Sequence, residues 1–132
     1  MSDAPALSDL LFSAEHTWAA RDGEEFLVGV SDFAQAALGP LVYVDLPAIG
    51  SLIEYDTSCG MLESAKTASD VIAPLTGRVT AVNEAAVDDP ELVNRAPLHA
   101  GWLLRIAPEA PLDAGLMDAA AYAAFLDGMG SR

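Results

Sequence analysis

Gly60-Met61-Leu62-Glu63-Ser64-Ala65-Lys66-Thr67-Ala68-Ser69-Asp70-Val71-Ile72-Ala73 reads as two extended runs, 60–64 and 69–73, on either side of a short apex. A tight antiparallel hairpin is the connection that suits so few intervening residues, and it places Lys66 at its tip. Lys66 is the one lysine in a chain of 132 residues, whose other basic side chains are Arg21, Arg78, Arg95, Arg105 and Arg132. A coding bias toward arginine would account for the count by itself. It does not account for the place, because a hairpin tip exposes the amine while two paired strands hold its backbone still.

Working outward, Pro74 and Gly77 punctuate the chain before Arg78-Val79-Thr80-Ala81-Val82, a strand whose Arg78 and Thr80 face water together. On the other side, Leu41-Val42-Tyr43-Val44-Asp45-Leu46 is a β-prone run closed by Pro47, with a further turn at Gly50. Phe26-Leu27-Val28-Gly29-Val30 is another, with Phe26, Val28 and Val30 on one face. Between these two, Ser31 as cap and Gly39 as stop define a helix of two turns over 32–38. Asp89 as cap with Pro90 in the first helical position predicts a short helix over 90–94. The run 102–106 predicts a strand burying Trp102, Leu104 and Ile106, stopped by Pro108. Asp118 then caps a C-terminal helix with Tyr122, Phe125 and Leu126 as its apolar stripe and Gly128 after it. Many short antiparallel strands with small peripheral helices make this a mainly β protein, a barrel or a sandwich.

The length predicts a single domain over 1–132, with a flexible N-terminal segment at 1–10. Apolar residues reach 52% of the chain, and with a mean hydropathy of +0.30 disorder is not expected. The formal charge of -14 and a pI near 4.1 repel phosphate backbones and anionic lipid, which sets aside nucleic acid and membrane surfaces as partners. The same charge favours solubility and fast, weak encounter with basic surfaces on partner proteins. Met1-Ser2-Asp3-Ala4-Pro5 lacks the positive start of a secretory signal, and no apolar run is long enough to span a bilayer, so a cytoplasmic protein is expected.

Enzymatic chemistry finds little support. Asp88 and Asp89 precede a proline and read as a helix cap rather than an acid and base pair. Cys59 is the only cysteine and reads as a small buried apolar side chain, with no basic neighbour to activate it. His16 and His99 are far apart and show no metal-ligand spacing, and His16 reads as a packed or surface histidine rather than a general base. Gly23, Gly29 and Gly39 are not spaced as a phosphate loop. A lysine ammonium titrates far above neutral pH and is a poor base, but it is a good attachment point once an external ligase deprotonates and acylates it.

Glu63-Ser64-Ala65-Lys66-Thr67-Ala68-Ser69-Asp70 closely resembles the lipoyl-lysine motif of the glycine cleavage H-protein family, which includes H-protein-like lipoate-binding proteins. Further likenesses follow in order: Glu15-His16-Thr17-Trp18, Val28 to Gln35, Leu38-Gly39, Val42 to Pro47, Pro74 to Val79, Val82-Asn83, Leu92-Val93-Asn94, Gly101-Trp102-Leu103 and Leu116-Met117. The resemblance implies a lipoyl-domain-like barrel-sandwich hybrid with lipoic acid in amide linkage to Lys66. It implies a non-catalytic carrier, on which an aminomethyl group travels from the pyridoxal-phosphate glycine decarboxylase to the aminomethyltransferase, with reoxidation by dihydrolipoyl dehydrogenase. A lipoate ligase or lipoyl transferase would load it, with Glu63 as the position that the loading enzyme recognises. Asp70, Glu15, His16 and Thr17 would line the cleft that shelters the arm. Thr17 departs from the family, which usually has a glutamate there, and a threonine cannot pair ionically with an amine. That departure keeps open an alternative, a lipoate-binding carrier for a heterodisulfide-reductase-like complex in bacterial sulfur oxidation, or for lipoyl relay. A biotin carrier would share the hairpin logic but flanks its lysine with methionines, where Ala65 and Thr67 stand here.

Overall fold

The computed structural model describes residues 10–130, so the segment expected over 1–10 lies outside the described residues except for Leu10. In chain order the elements are β1 (Leu10–Phe12), β2 (Thr17–Asp22), β3 (Glu25–Val30), α1 (Asp32–Leu38), β4 (Leu41–Asp45), β5 (Leu52–Ile53), β6 (Ser58–Ser64), β7 (Ala68–Ile72), β8 (Gly77–Val82), α2 (Glu84–Asp88), α3 (Glu91–Arg95), β9 (Leu104–Pro108) and α4 (Ala119–Gly130). The strands form a 6-stranded sheet in the order β1-β2-β3-β9-β8-β5 and a 3-stranded sheet in the order β4-β6-β7. Every pairing is antiparallel. This is the mainly β sandwich that the turn punctuation predicts.

The principal core lies between the sheets. Val28, Val79 and Ile106 of the larger sheet meet Val44, Leu62 and Val71 of the smaller one. Phe26, Val28 and Val30 share that core, as the alternation along β3 predicts, while Leu27 points the other way into a second cluster. There Leu10, Phe12, Trp18 and Ala20 are covered by Tyr122 of α4, with Leu126 beside it. The Phe12 and Tyr122 rings stack at 4.4 Å, and Phe12 and Met117 exchange two backbone hydrogen bonds that fasten the lead-in to α4 against β1. Burial on both faces hides β2 from a period-two reading, and its alanines give no strand signal of their own.

Trp18 explains Gly29. A Cβ at Gly29 would lie 2.7 Å from the Trp18 ring, so the strand position opposite the indole tolerates no side chain. The indole Nε1 donates to the carbonyls of Val30 and Pro97, at 3.0 and 3.1 Å, which fixes the ring between β3 and the loop after α3.

Three sequence expectations need correction. Trp102 lies outside β9: its backbone N–H donates to His99 and its carbonyl accepts from Asn83 Nδ2, so the strand begins at Leu104 and Leu103 takes the buried place. Asp89 does not cap α3 through its side chain. Its carboxylate pairs with Arg95 at 2.6 Å, its backbone carbonyl accepts from Leu92, and Pro90 occupies the cap position. The C-terminal helix runs through Gly128 to Gly130, with Asp118 capping it by accepting from Ala121 N–H at 2.8 Å as expected. Helix α1 matches its prediction at both ends: Ser31 Oγ accepts from Ala34 N–H and Gly39 terminates it at φ 85°. Cys59 is buried, and desolvation pushes its thiol up to about 12. No helix among the described residues is long and apolar enough to cross a membrane.

Candidate functional site

The hairpin is one residue shorter at its tip than the sequence reading gives. Glu63 pairs with Ala68, Ser64 N–H donates to Thr67 O at 2.7 Å, and Ala65, Lys66 and Thr67 form the loop between β6 and β7. Loops this short usually take positive φ, yet neither Ala65 nor Lys66 does. The buried Ser64 hydroxyl supplies the missing closure. Its Oγ accepts from the backbone N–H groups of Lys66 and Thr67, at 3.3 and 3.2 Å, so the amides at the tip are bonded although the side chains there are exposed.

The Lys66 stem runs from the tip toward the end of α1. A Cβ placed on Gly39 would meet Lys66 Cε at 3.3 Å, so the glycine leaves room for the alkyl chain as well as adopting its left-handed φ. Asn94 braces that ledge: Nδ2 donates to Gly39 O and Gln35 Oε1, and Oδ1 accepts from Leu41 N–H. Among the described residues the Lys66 ammonium makes no ion pair. The amine is exposed and chemically available.

Beside the hairpin lies a cleft of about 360 Å³. One wall is apolar, made by Val30, Phe33, Ala34, Ala37, Leu38 and Leu62. The other carries Glu15, His16, Thr17 and Asp70, so the structure brings together on one cleft the four residues that the sequence places there. Glu63 is exposed on β6 and stands apart from it. Phe33 and Ser64 were missed by the sequence reading. Ser64 carried a usable signal, a hydroxyl two residues before the lysine in a loop without glycine; Phe33 looked like any apolar residue of a helix.

The polar wall is built from a turn at 13–17. Ser13 Oγ accepts from the backbone N–H groups of Glu15 and Thr17, both at 3.2 Å. Thr17 is 1% exposed; its hydroxyl donates to Ile72 O at 2.9 Å and lies 2.7 Å from Ser13 Oγ. Thr17 therefore ties β2 to the end of β7 and presents no free polar group to the cleft. His16 adopts φ 70°, an unusual conformation for a residue with a Cβ, held by its N–H to Ser13 O and its carbonyl accepting from Ser31 N–H. Its ring lies against Phe33 at 4.7 Å, and Nδ1 is 2.7 Å from Tyr122 Oη. Burial lowers the His16 pKa, opposed in smaller part by Glu15. Asp70 and Glu15 make no side-chain hydrogen bond or ion pair among the described residues, so the cleft keeps two available carboxylates.

The two-sheet barrel-sandwich, with a lysine exposed on a closed hairpin next to a half-apolar cleft, is the architecture of a lipoyl-domain-like carrier. The sequence model for the glycine cleavage H-protein matches residues 10–129. A glycine cleavage system H protein of Anaeromyxobacter sp. (strain K) is 45% identical over 120 residues, covering 90% of this chain and 94% of that protein. Its counterpart from Klebsiella pneumoniae is 44% identical over 129 residues, covering 96% and 98%. The crystal structure of a glycine cleavage system H protein from Mycobacterium marinum superposes with a TM-score of 0.83 at 37% identity, over 95% of this chain and 98% of that one. The chain belongs to the glycine cleavage H-protein family, the lipoyl carriers of that system.

Proposed function

We propose that Lys66 Nζ is the attachment point for lipoic acid and that the chain is a non-catalytic carrier subunit of glycine cleavage in the cytoplasm. The observation that carries this reading is the place of the sole lysine: an exposed amine with no ion pair among the described residues, on a serine-closed hairpin whose next residues, Thr67 to Asp70, line a cleft. When bound, lipoate supplies a disulfide that accepts an aminomethyl group and passes it on between partner enzymes. The chain's residues perform the rest. The hairpin holds the attachment point still, the ledge at Gly39 gives the stem a path along α1, and the apolar wall shields whatever enters the cleft from water. Glu15 and Asp70 offer negative charge to a cationic end group.

The partners follow from that role: a glycine decarboxylase, an aminomethyltransferase, a dihydrolipoyl dehydrogenase and a lipoate ligase or lipoyl transferase. Thr17, the residue behind the sulfur-oxidation alternative, acts as a strut in the fold, and Glu15 and Asp70 still provide carboxylates, so the missing glutamate does not empty the cleft of charge. Intact mass of protein from lipoate-competent cells tests the assignment. Wild type gains one lipoyl group, Lys66→Arg gains none while keeping its melting temperature, and lipoate on the variant would overturn the site. Glu63→Ala is expected to slow ligation, and an unchanged rate would remove its recognition role.

A further inference from the structure

Three side chains from distant parts of the sequence meet behind the cleft. Tyr122 Oη donates to Ser31 Oγ at 2.8 Å and lies 2.7 Å from His16 Nδ1. A tyrosine hydroxyl has one proton, and here Ser31 receives it. Nδ1 of a neutral His16 must then carry its own proton and donate it to Tyr122, which leaves Nε2 as a bare acceptor. Nε2 has no partner among the described residues, and no side-chain nitrogen or oxygen that is both buried and unpaired occurs among them. Nε2 is therefore open to solvent, on a residue that lines the cleft.

The other polar groups of that cleft point to the same kind of ligand. The buried Thr17 hydroxyl donates to Ile72 O at 2.9 Å, so it has no proton to offer inward, while the exposed Thr67 and Ser69 hydroxyls only graze the carbonyls of Ala68 and Asp70 at 3.5 and 3.3 Å. Glu15 and Asp70 are carboxylates. The rim thus sets two carboxylates beside the bare Nε2, which suits a group with several N–H donors and positive charge. We propose that His16 Nε2 is a hydrogen-bond acceptor for a primary ammonium in this cleft, and that Tyr122 of α4, bonded to Ser31, is the positioning residue that fixes the required tautomer. This deepens the carrier reading, since an aminomethyl end group brings such an ammonium. It gives α4 a task beyond covering the second core: the helix holds the ring that faces the cargo.

Nitrogen NMR on 15N-labelled protein without lipoate tests this above neutral pH, in a His99→Gln background that leaves His16 as the one ring observed. Wild type should show Nδ1 protonated and Nε2 bare. Methylammonium chloride should move the Nε2 resonance, whereas tetramethylammonium chloride, which has no N–H, should not. Tyr122→Phe preserves the stack on Phe12, and it should abolish both the tautomer preference and the methylammonium response. A wild-type ring protonated at Nε2 overturns the proposal without any variant, because the chain would then run from Ser31 through Tyr122 to Nδ1. An equal response to the two cations also overturns it. These readouts do not involve lipoate, so lipoate missing from Lys66 would sink the carrier reading while leaving the ring's behaviour to be judged on its own.

Discussion

Two turns face the cleft, and both are closed by a buried serine, yet they are held in opposite ways. Ser64 Oγ takes the N–H groups two and three residues ahead of it, and Ser13 Oγ takes those two and four ahead. Around Ser64 the bonds stay within the hairpin, and no residue of the loop leaves ordinary backbone space. Around Ser13 the turn requires His16 at φ 70° and is completed from far away, by Ile72 through Thr17 and by Tyr122 and Ser31 through His16. The hairpin is a local structure that presents an amine. The facing wall is a tertiary structure, and it exists only when β7, α1 and α4 are all in place.

The largest effect is expected from overloading the tertiary turn. Thr17→Glu removes a hydroxyl bonded to Ile72 and forces a carboxylate into a site that is 1% exposed, with no lysine or arginine among the described residues lining the cleft to receive it. A loss of roughly 2–4 kcal/mol is expected in urea unfolding, from burial of an unpaired charge. A loss under about 0.5 kcal/mol, the range of an ordinary surface change, would show that the turn rearranges freely and that the contrast with the hairpin is wrong. The position is therefore a poor place to restore an acidic contact by itself.

The hairpin tip should differ sharply from the strand that follows the hairpin in the other sheet. There, at the start of β8, a Cβ on Gly77 would run into the Ala107 carbonyl across the β8–β9 pair, so Gly77→Val is expected to cost about 1–3 kcal/mol as overpacking. At the tip, Thr67 is exposed and its hydroxyl only grazes Ala68 O at 3.5 Å, so Thr67→Ala should stay within about 0.5 kcal/mol. Thermal melts of the pair measure the difference. Equal losses would mean that the tip is as constrained as the packed start of β8.

The same division separates what the sequence disclosed from what it did not. Lys66, its two strands and the stops at Gly39 and Pro74 are encoded by neighbours in the chain, and local propensity reads neighbours. The core face of β3 was legible for that reason, through Phe26, Val28 and Val30. Strand β2 was not, because Trp18 and Ala20 face one core and Ala19 the other. The roles of Ser13, Tyr122 and Asn94 depend on partners that only the fold brings near, and nothing in their own surroundings marks them. The resemblance to a family put Glu15, His16 and Asp70 on one cleft; propensity alone would have left His16 a packed histidine. Trp102 shows the complementary failure: its alternation with Leu104 and Ile106 was real, but Asn83 and His99 had already engaged its backbone in a turn.

Removing the serine closure should produce a change near 1 kcal/mol. Ser64→Ala leaves the amides of Lys66 and Thr67 without their acceptor, but both lie at an exposed tip where water can replace it. The more telling measurement is the rate of lipoate ligation, which should fall as the tip loosens although Lys66 itself is untouched. A variant that melts lower and ligates at the wild-type rate would show that Ser64 stabilises the fold without presenting the amine.

The smallest effect belongs to His16, and its sign follows from its surroundings. Burial lowers the pKa in the folded protein below the ordinary value of 6.5, with Glu15 opposing in smaller part. Between the two values the unfolded chain binds more protons than the folded one, so stability rises with pH across that window. The contribution is complete above 6.5 and is lost as pH falls toward the folded value. His16→Gln removes this group from the balance, so urea midpoints measured from above neutral into the acid range should fall less steeply for the variant than for wild type. Because the carboxylates titrate lower and are common to both proteins, the difference between the two curves isolates the ring. A variant whose curve runs parallel to that of wild type would mean that His16 protonates as readily in the fold as outside it, and that the wall across from Lys66 is as open to water as the hairpin tip.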